Sequence, residues 1–150
     1  MTLRTRLALG LSGLLASSAA FGLAFAATAA PSSAAKTADT RVFELRTYVT
    51  HPGRLDALNK RFRDHTTALF KKHGMENVGY WTPQEEKDGK NDTLVYILAH
   101  KSRDAAKASW AAFSADPEWT KARDASEKDG KIVAKVTSVV LDPTDYSAIK

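Results

Sequence analysis

Glu44, Arg46 and Tyr48 stand two apart in the alternating run Arg41–Thr50. In a strand they share one face. Tyr96 and His100 share one face of a second such run, Thr93–His100. If the two strands are neighbours, an acid, a guanidinium, two phenols and an imidazole converge on one cavity. An apolar pocket with a few polar groups is the usual form of a small-ligand site. Arg46 can grip a carboxylate through two N–H groups, and His100 can move a proton near neutral pH. The competing reading is architectural: a buried Glu44–Arg46 pair with tyrosines lining a dimer core, since buried ion pairs need no function. No residue is assigned a catalytic role.

Two further histidines lie on the helix read between these strands, His65 at the edge of its apolar stripe and His73 near the stripe's centre. Eight residues of helix separate them by about 12 Å, too far to hold one ion together. A partnered core histidine or a helix-end cation is the expected role for each. The chain has no cysteine, and no compact ligand cluster accompanies the histidines, so neither a metal nor another cofactor is expected. Of Trp81, Trp110, Trp119 and Phe113, most are expected in the core rather than around a cofactor.

The chain length suits one domain, and a leader precedes it. Arg4 and Arg6 give a positive start, Leu7–Ala26 carries no charge, and Ala24-Phe25-Ala26 and Ala27-Thr28-Ala29 are small-x-small cleavage sites. Residues 1–29 read as a secretory signal peptide cut after Ala26 or Ala29, and 30–40 as a flexible linker. A domain over 41–144 and a short tail, 145–150, follow. The expected location is the periplasm or the exterior, with no stable membrane anchor after cleavage. The formal charge is +5; taking Arg4 and Arg6 from the 22 basic residues leaves 20 against 17 acidic ones, or +3. That excess is spread along the chain. Lys60, Arg61, Arg63, Lys71 and Lys72 read as a solvated helix face, and nucleic acid is not an expected partner.

The elements that position the candidate residues follow from periodicity. After the first strand, His51-Pro52-Gly53 turns into a helix from Leu55 to His73. Its apolar residues Leu55, Leu58, Phe62 and Leu69 keep helical spacing, and Gly74 stops it. Val78–Trp81 is a strand closed by Pro83. Gln84–Asp92 is a polar loop, and Thr93–His100 pairs back as a hairpin. Ser102 caps a helix that buries Ala105, Ala106, Trp110 and Phe113. Asp116-Pro117 opens another, with Trp119 and Ala122 inward. Lys131–Leu141 is the last strand. The order predicts an α+β, ferredoxin-like βαββαβ fold: a four-stranded antiparallel sheet with helices on one face. The helices are expected to cover Phe43, Leu45, Val95 and Ile97. Val42, Tyr48, Leu94, Tyr96 and Leu98 are then left wet on the other face, so a second copy is expected there, giving a homodimer with the sheets face to face.

From about Val42 to Leu141 the chain resembles the NIPSNAP family. The resemblance rests on Phe43-Glu44-Leu45-Arg46-Thr47-Tyr48, Pro52-Gly53, Leu69-Phe70-Lys71-Lys72-His73-Gly74 and Val78-Gly79-Tyr80-Trp81. Leu94–Ala99 and Ser109-Trp110-Ala111-Ala112-Phe113, leading to Asp116-Pro117-Glu118-Trp119, complete it. It implies a dimeric α/β barrel, and the pocket read from Glu44, Arg46, Tyr48, Tyr96 and His100 would hold a small organic ligand inside it. It carries no catalytic motif to transfer, and it leaves the biochemical activity undefined. The mitochondrial relatives are linked to trafficking and damage signalling, a role at odds with an export signal. Relatives by fold include cofactor-independent monooxygenases and isomerases, which makes that activity one alternative. A protein-interaction module without pocket chemistry is the other.

Overall fold

The computed structural model describes residues 41–150. The expected leader, 1–29, and linker, 30–40, lie outside the described residues. The first strand is β1, Val42–Thr50. The first helical stretch is α1, Leu55–Arg61, a π-helical turn over Phe62–Thr66, and α2, Thr67–Lys72. Next come β2, Glu76–Trp81, and β3, Thr93–His100. Helices α3, Arg103–Ala115, and α4, Pro117–Ser126, precede β4, Val133–Leu141. The sheet order is β2-β3-β1-β4, with each neighbouring pair antiparallel. This is the βαββαβ arrangement the sequence predicts.

Local chemistry sets the ends of these elements. Ser102 Oγ accepts from Ala105 N at 3.1 Å, and Asp116 Oδ1 accepts from Glu118 N at 2.8 Å with Pro117 in the first turn. Both are side-chain caps for otherwise orphaned helix N–H groups. After α2, Gly74 takes φ 76°, in the left-handed region, and Met75 N reaches back to Phe70 O at 2.9 Å. Only glycine adopts that conformation without cost.

The helices cover the opposite sheet face from the one expected. Leu94, Tyr96 and Leu98 are buried beneath them, packed with Leu58, Phe62, Leu69, Phe70 and Phe113 into one cluster. Val42 is buried on the same side. The wet patch read on Val42, Tyr48, Leu94, Tyr96 and Leu98 therefore does not exist. Alternation separates two faces but does not say which one the helices take. Polar Glu44 and Arg46 made this face look like the freer one; in the fold they pair with each other inside it. The uncovered face carries Leu45, Val95 and Ile97, with Val139 opposite Leu45. Residues beyond β4 are not a free polar tail: Pro143 and Ile149 lie by Phe43 and Ile97 around a cavity of about 290 Å³. Arg41 Nη1 donates to the Lys150 carbonyl at 2.7 Å.

Three details depart from the periodic pattern. Between α1 and α2 the helix widens: Thr67 N–H bonds to Phe62 O, five residues back, and Thr66 Oγ1 donates to Arg61 O at 3.2 Å. One extra residue in the turn rotates the face, so Thr66, Leu69 and Phe70 all point inward. Arg61 is not on a solvated face. It is buried against α4, paired with Glu127 at 3.2 Å, its guanidinium 5.3 Å from the Trp119 ring centre. Trp81 is not core but 52% exposed. Its ring folds over Gly79, where a Cβ would fall 2.5 Å from the indole; the close approach requires glycine.

Candidate functional site

Glu44, Arg46, Tyr48, Tyr96 and His100 lie on one face of adjacent strands, β1 and β3, as alternation predicts. Their surroundings differ from the expectation. The face lies between sheet and helices of a single chain, rather than inside a barrel shared by two.

Glu44 is the hub. Its Oε1 accepts from Arg46 Nη1 at 2.6 Å and from Ser138 Oγ at 2.6 Å. Its Oε2 meets His100 Nε2 at 3.0 Å and accepts from Trp110 Nε1 at 2.6 Å. A carboxylate only accepts, so His100 carries its proton on Nε2, leaving Nδ1 without a partner among the described residues. Burial by itself would raise the Glu44 pKa. The hydrogen bonds from His100, Ser138, Trp110 and Arg46 outweigh it and hold the pKa down at about 2. Glu44 is thus a fixed anion at neutral pH, and not a group poised to take a proton.

Arg46 is held from several sides. Besides Glu44, its Nη2 donates to Tyr48 Oη at 3.3 Å, and its guanidinium sits 4.2 Å from the Trp110 ring centre. Burial disfavours its charge, but the neighbouring Tyr48 and Tyr96 and the bond to Glu44 more than restore it, so its pKa lies above the ordinary value. The rings of Tyr48 and Tyr96 meet edge-on with centroids 5.3 Å apart. Burial, with Tyr48 beside it, raises the Tyr96 phenol pKa well above the usual value, so it keeps its proton.

Trp110 and Ser138 complete the cluster and are absent from the residues picked out by sequence. Trp110 was read as core; it does pack on the core, but its N–H is spent on Glu44. A half-buried indole N–H generally needs a partner, and that was the available signal. Ser138 sits directly across from Arg46. A lone serine in a valine-rich strand shows its purpose only once that register is known.

The remaining histidines stay apart from the cluster. His65 is exposed. His73, at the C-terminal end of α2, bonds to Asp116 at 2.7 Å. Lys72, then His73 and the Glu118 amide, hold the Asp116 carboxyl well below the usual range. Among the described residues, no group of three or more histidines and carboxylates is placed to hold a metal ion. None of their helices is long and apolar enough to cross a membrane.

Comparison with known proteins gives the family. The NIPSNAP family profile matches residues 43–148. The chain belongs to the NIPSNAP family. It is similar to a NIPSNAP family protein of unknown function from Agrobacterium tumefaciens, with 25% identity, a TM-score of 0.63, and coverage of 75% of this chain and 96% of that one. An uncharacterised NIPSNAP-like domain protein from Burkholderia xenovorans shares the fold, with a TM-score of 0.62 at 16% identity, covering 73% of this chain and 90% of that one. A further NIPSNAP domain protein from that organism has a TM-score of 0.59 at 21% identity, with 71% and 97% covered. No curated protein matches the chain. These NIPSNAP relatives carry the same sheet and helices, so the site described above is built on the family's own framework.

Proposed function

We propose that this NIPSNAP-family chain is an exported, homodimeric protein that binds a small organic ligand at the Glu44–Arg46–Tyr48–Tyr96–His100 cluster. One observation carries the ligand. Six buried side-chain polar atoms lack a partner among the described residues, and three of them, Arg46 Nε, Tyr96 Oη and His100 Nδ1, belong to this cluster. Each unmet buried donor costs about 1–3 kcal/mol unless something partners it. Three such groups within one cluster support a partner bound there.

The homodimer rests on the uncovered sheet face. Leu45, Val95 and Ile97 are only half-buried there, and Trp81, Val139 and Leu141 are exposed. A second copy covering that face restores the face-to-face arrangement through the opposite side from the one first read. Export rests on the Arg4/Arg6 start and the two cleavage sites; N-terminal sequencing of protein from the native cell should give Ala27 or Ala30, and an intact Met1 in the membrane fraction would exclude a cleaved leader.

Native mass spectrometry of the protein purified from its own host tests ligand and assembly together. The expected result is twice the mature chain mass with a bound small molecule, lost in Arg46→Ala while the dimer survives. If wild type never carries a ligand and Arg46→Ala only lowers the melting temperature, the cluster is architecture.

A further inference from the structure

Among the described residues, the Glu44 carboxylate has no acceptor site left. Two donors reach each of its oxygens: Arg46 and Ser138 on Oε1, His100 and Trp110 on Oε2. A carboxylate offers about four such sites. Donors, by contrast, remain. Arg46 has about five N–H groups; one goes to Glu44 and one to Tyr48. The Tyr48 hydroxyl accepts from Arg46 and keeps its own proton to give. The Tyr96 hydroxyl behind it is unpartnered. Around Arg46 the site therefore has hydrogen bonds to donate and no free carboxylate oxygen; only the neutral hydroxyl oxygens of Tyr48, Tyr96 and Ser138 are left to accept. Its charge is already matched by Glu44.

The way in runs along β4. Val136, Ser138 and Val140 pair with Tyr48, Arg46 and Glu44 in turn, and so stand on the same face. The helices do not reach over them: Val136 is 45% exposed, Val140 is 38% exposed, and Ser138 lies open between them. Directly opposed residues on one face have Cβ atoms about 5 Å apart. The strip is thus an apolar shelf beside the Arg46 guanidinium, with the Trp110 ring packed on that guanidinium. Five residues of strand span about 13 Å, the length of a molecule of two or three fused rings.

We propose that Arg46 and this β4 strip form a seat for a small planar apolar molecule bearing an oxygen acceptor, a carbonyl or a carboxylate, a seat that presupposes the ligand-binding role proposed above. The acceptor oxygen meets the spare N–H groups of Arg46, with the Tyr48 hydroxyl beside it. The apolar body lies along Val136 and Val140. Glu44 is a positioning residue: it aims Arg46 and does not touch the ligand. An ammonium group is rejected, because it brings a second positive charge to a guanidinium whose one carboxylate partner, Glu44, has no acceptor site left.

Four naphthalene probes test the seat on the protein purified from its own host, by calorimetric titration: 2-acetylnaphthalene, 2-naphthoate, 2-ethylnaphthalene and 2-(aminomethyl)naphthalene. The ketone or the carboxylate should bind at least roughly tenfold tighter than the hydrocarbon, the amine no tighter than the hydrocarbon. A ketone as tight as the naphthoate identifies a neutral carbonyl, and a tighter naphthoate identifies an anion. Arg46→Lys should remove the acceptor preference and leave hydrocarbon binding intact. Val136→Thr with Val140→Thr, exposed positions that tolerate the change, should weaken the ketone by roughly tenfold at unchanged melting temperature. Probes that bind without preference overturn the seat and leave the ligand-site role standing. No binding by any probe overturns the seat, and the absence of a native ligand in the mass spectrum then overturns the role as well. If the double substitution changes the dimer mass and not probe affinity, the strip is an interface between copies and the seat is wrong.

Discussion

Trp110 and Glu44 are joined across the helix–sheet interface: the indole Nε1 on α3 donates to the Glu44 carboxylate on β1 at 2.6 Å. The same indole lies 4.2 Å from the Arg46 guanidinium. One side chain thus supplies a donor to the anion and a π face to the cation, and it ties the position of α3 to the charge pair.

Trp110→Phe separates these two roles. The ring remains to stack on Arg46, and only the N–H is lost. A hydrogen bond to a charged group contributes about 1.5–3 kcal/mol, so urea unfolding at pH 7 should show a loss in that range. Trp110→Ala should lose more, about 3–5 kcal/mol, because a packed aromatic goes too. No loss in Trp110→Phe beside a large one in Trp110→Ala would mean that the indole N–H contributes nothing and that the ring alone matters.

The depressed Glu44 pKa makes a statement about stability and acid. Its value falls from 4.5 to about 2 on folding, the four hydrogen bonds overcoming the penalty of burial. A carboxylate with a lowered folded pKa stabilises the fold above its unfolded pKa. That contribution is lost as pH falls through the folded pKa. The window is therefore about pH 5 down to about pH 2, and the size is on the order of 3 kcal/mol. Glu44→Gln should be less stable than wild type at pH 7, and the gap should close as the pH approaches 2. A gap that stays constant with pH would show that Glu44 is not held as an anion in the fold.

The buried Arg61–Glu127 pair gives a third expectation. The Arg61 side chain is 3% exposed, and Arg61→Ala leaves Glu127 with only Lys131 and the Ile132 amide. Removing one partner of a buried pair costs about 3–5 kcal/mol, roughly 12–40 °C in melting temperature for a domain of this size. Arg61→Met keeps much of the volume and the packing on Trp119, and it should lose less than Arg61→Ala. If both changes are silent, the pair is not desolvated in solution.

The order of elements was legible because each has a local cause: Ser102 and Asp116 as caps, Gly74 as a stop, and strict alternation in Arg41–Thr50 and Thr93–His100. The five candidate residues were found on one face for the same reason, since alternation is local. The choice of face was not legible. Leu45 and Val95 are as apolar as Leu94 and Leu98, and the decision rests with the ring cluster of Tyr48, Phe62, Phe70, Tyr80 and Tyr96, which forms only when helix and sheet meet. Ser138 and the inward Arg61 were missed because each depends on a non-local partner. Arg61 reads as one more charge in a basic helix until α4 brings Glu127 to it.

The last prediction concerns the uncovered sheet face. Leu45 pairs with Ile97 on one side and with Val139 on the other, so the three form an apolar row across β3, β1 and β4. No helix covers this row, and the Trp81 ring, folded over Gly79 opposite Ile97, extends it onto β2. If a second copy does cover it, Ile97→Lys places an unpaired charge in the interface twice, once from each copy. Each buried, unpaired ion costs several kcal/mol, so the dimer should weaken by at least about a hundredfold. The monomer should keep its fold, because Ile97 is only half-buried there and the lysine can reach water. Light scattering at micromolar concentration should give twice the chain mass for wild type and a single chain mass for Ile97→Lys, with unchanged far-UV circular dichroism. A wild-type protein that scatters as a monomer, or an Ile97→Lys variant that stays dimeric, would remove this face as the site of assembly.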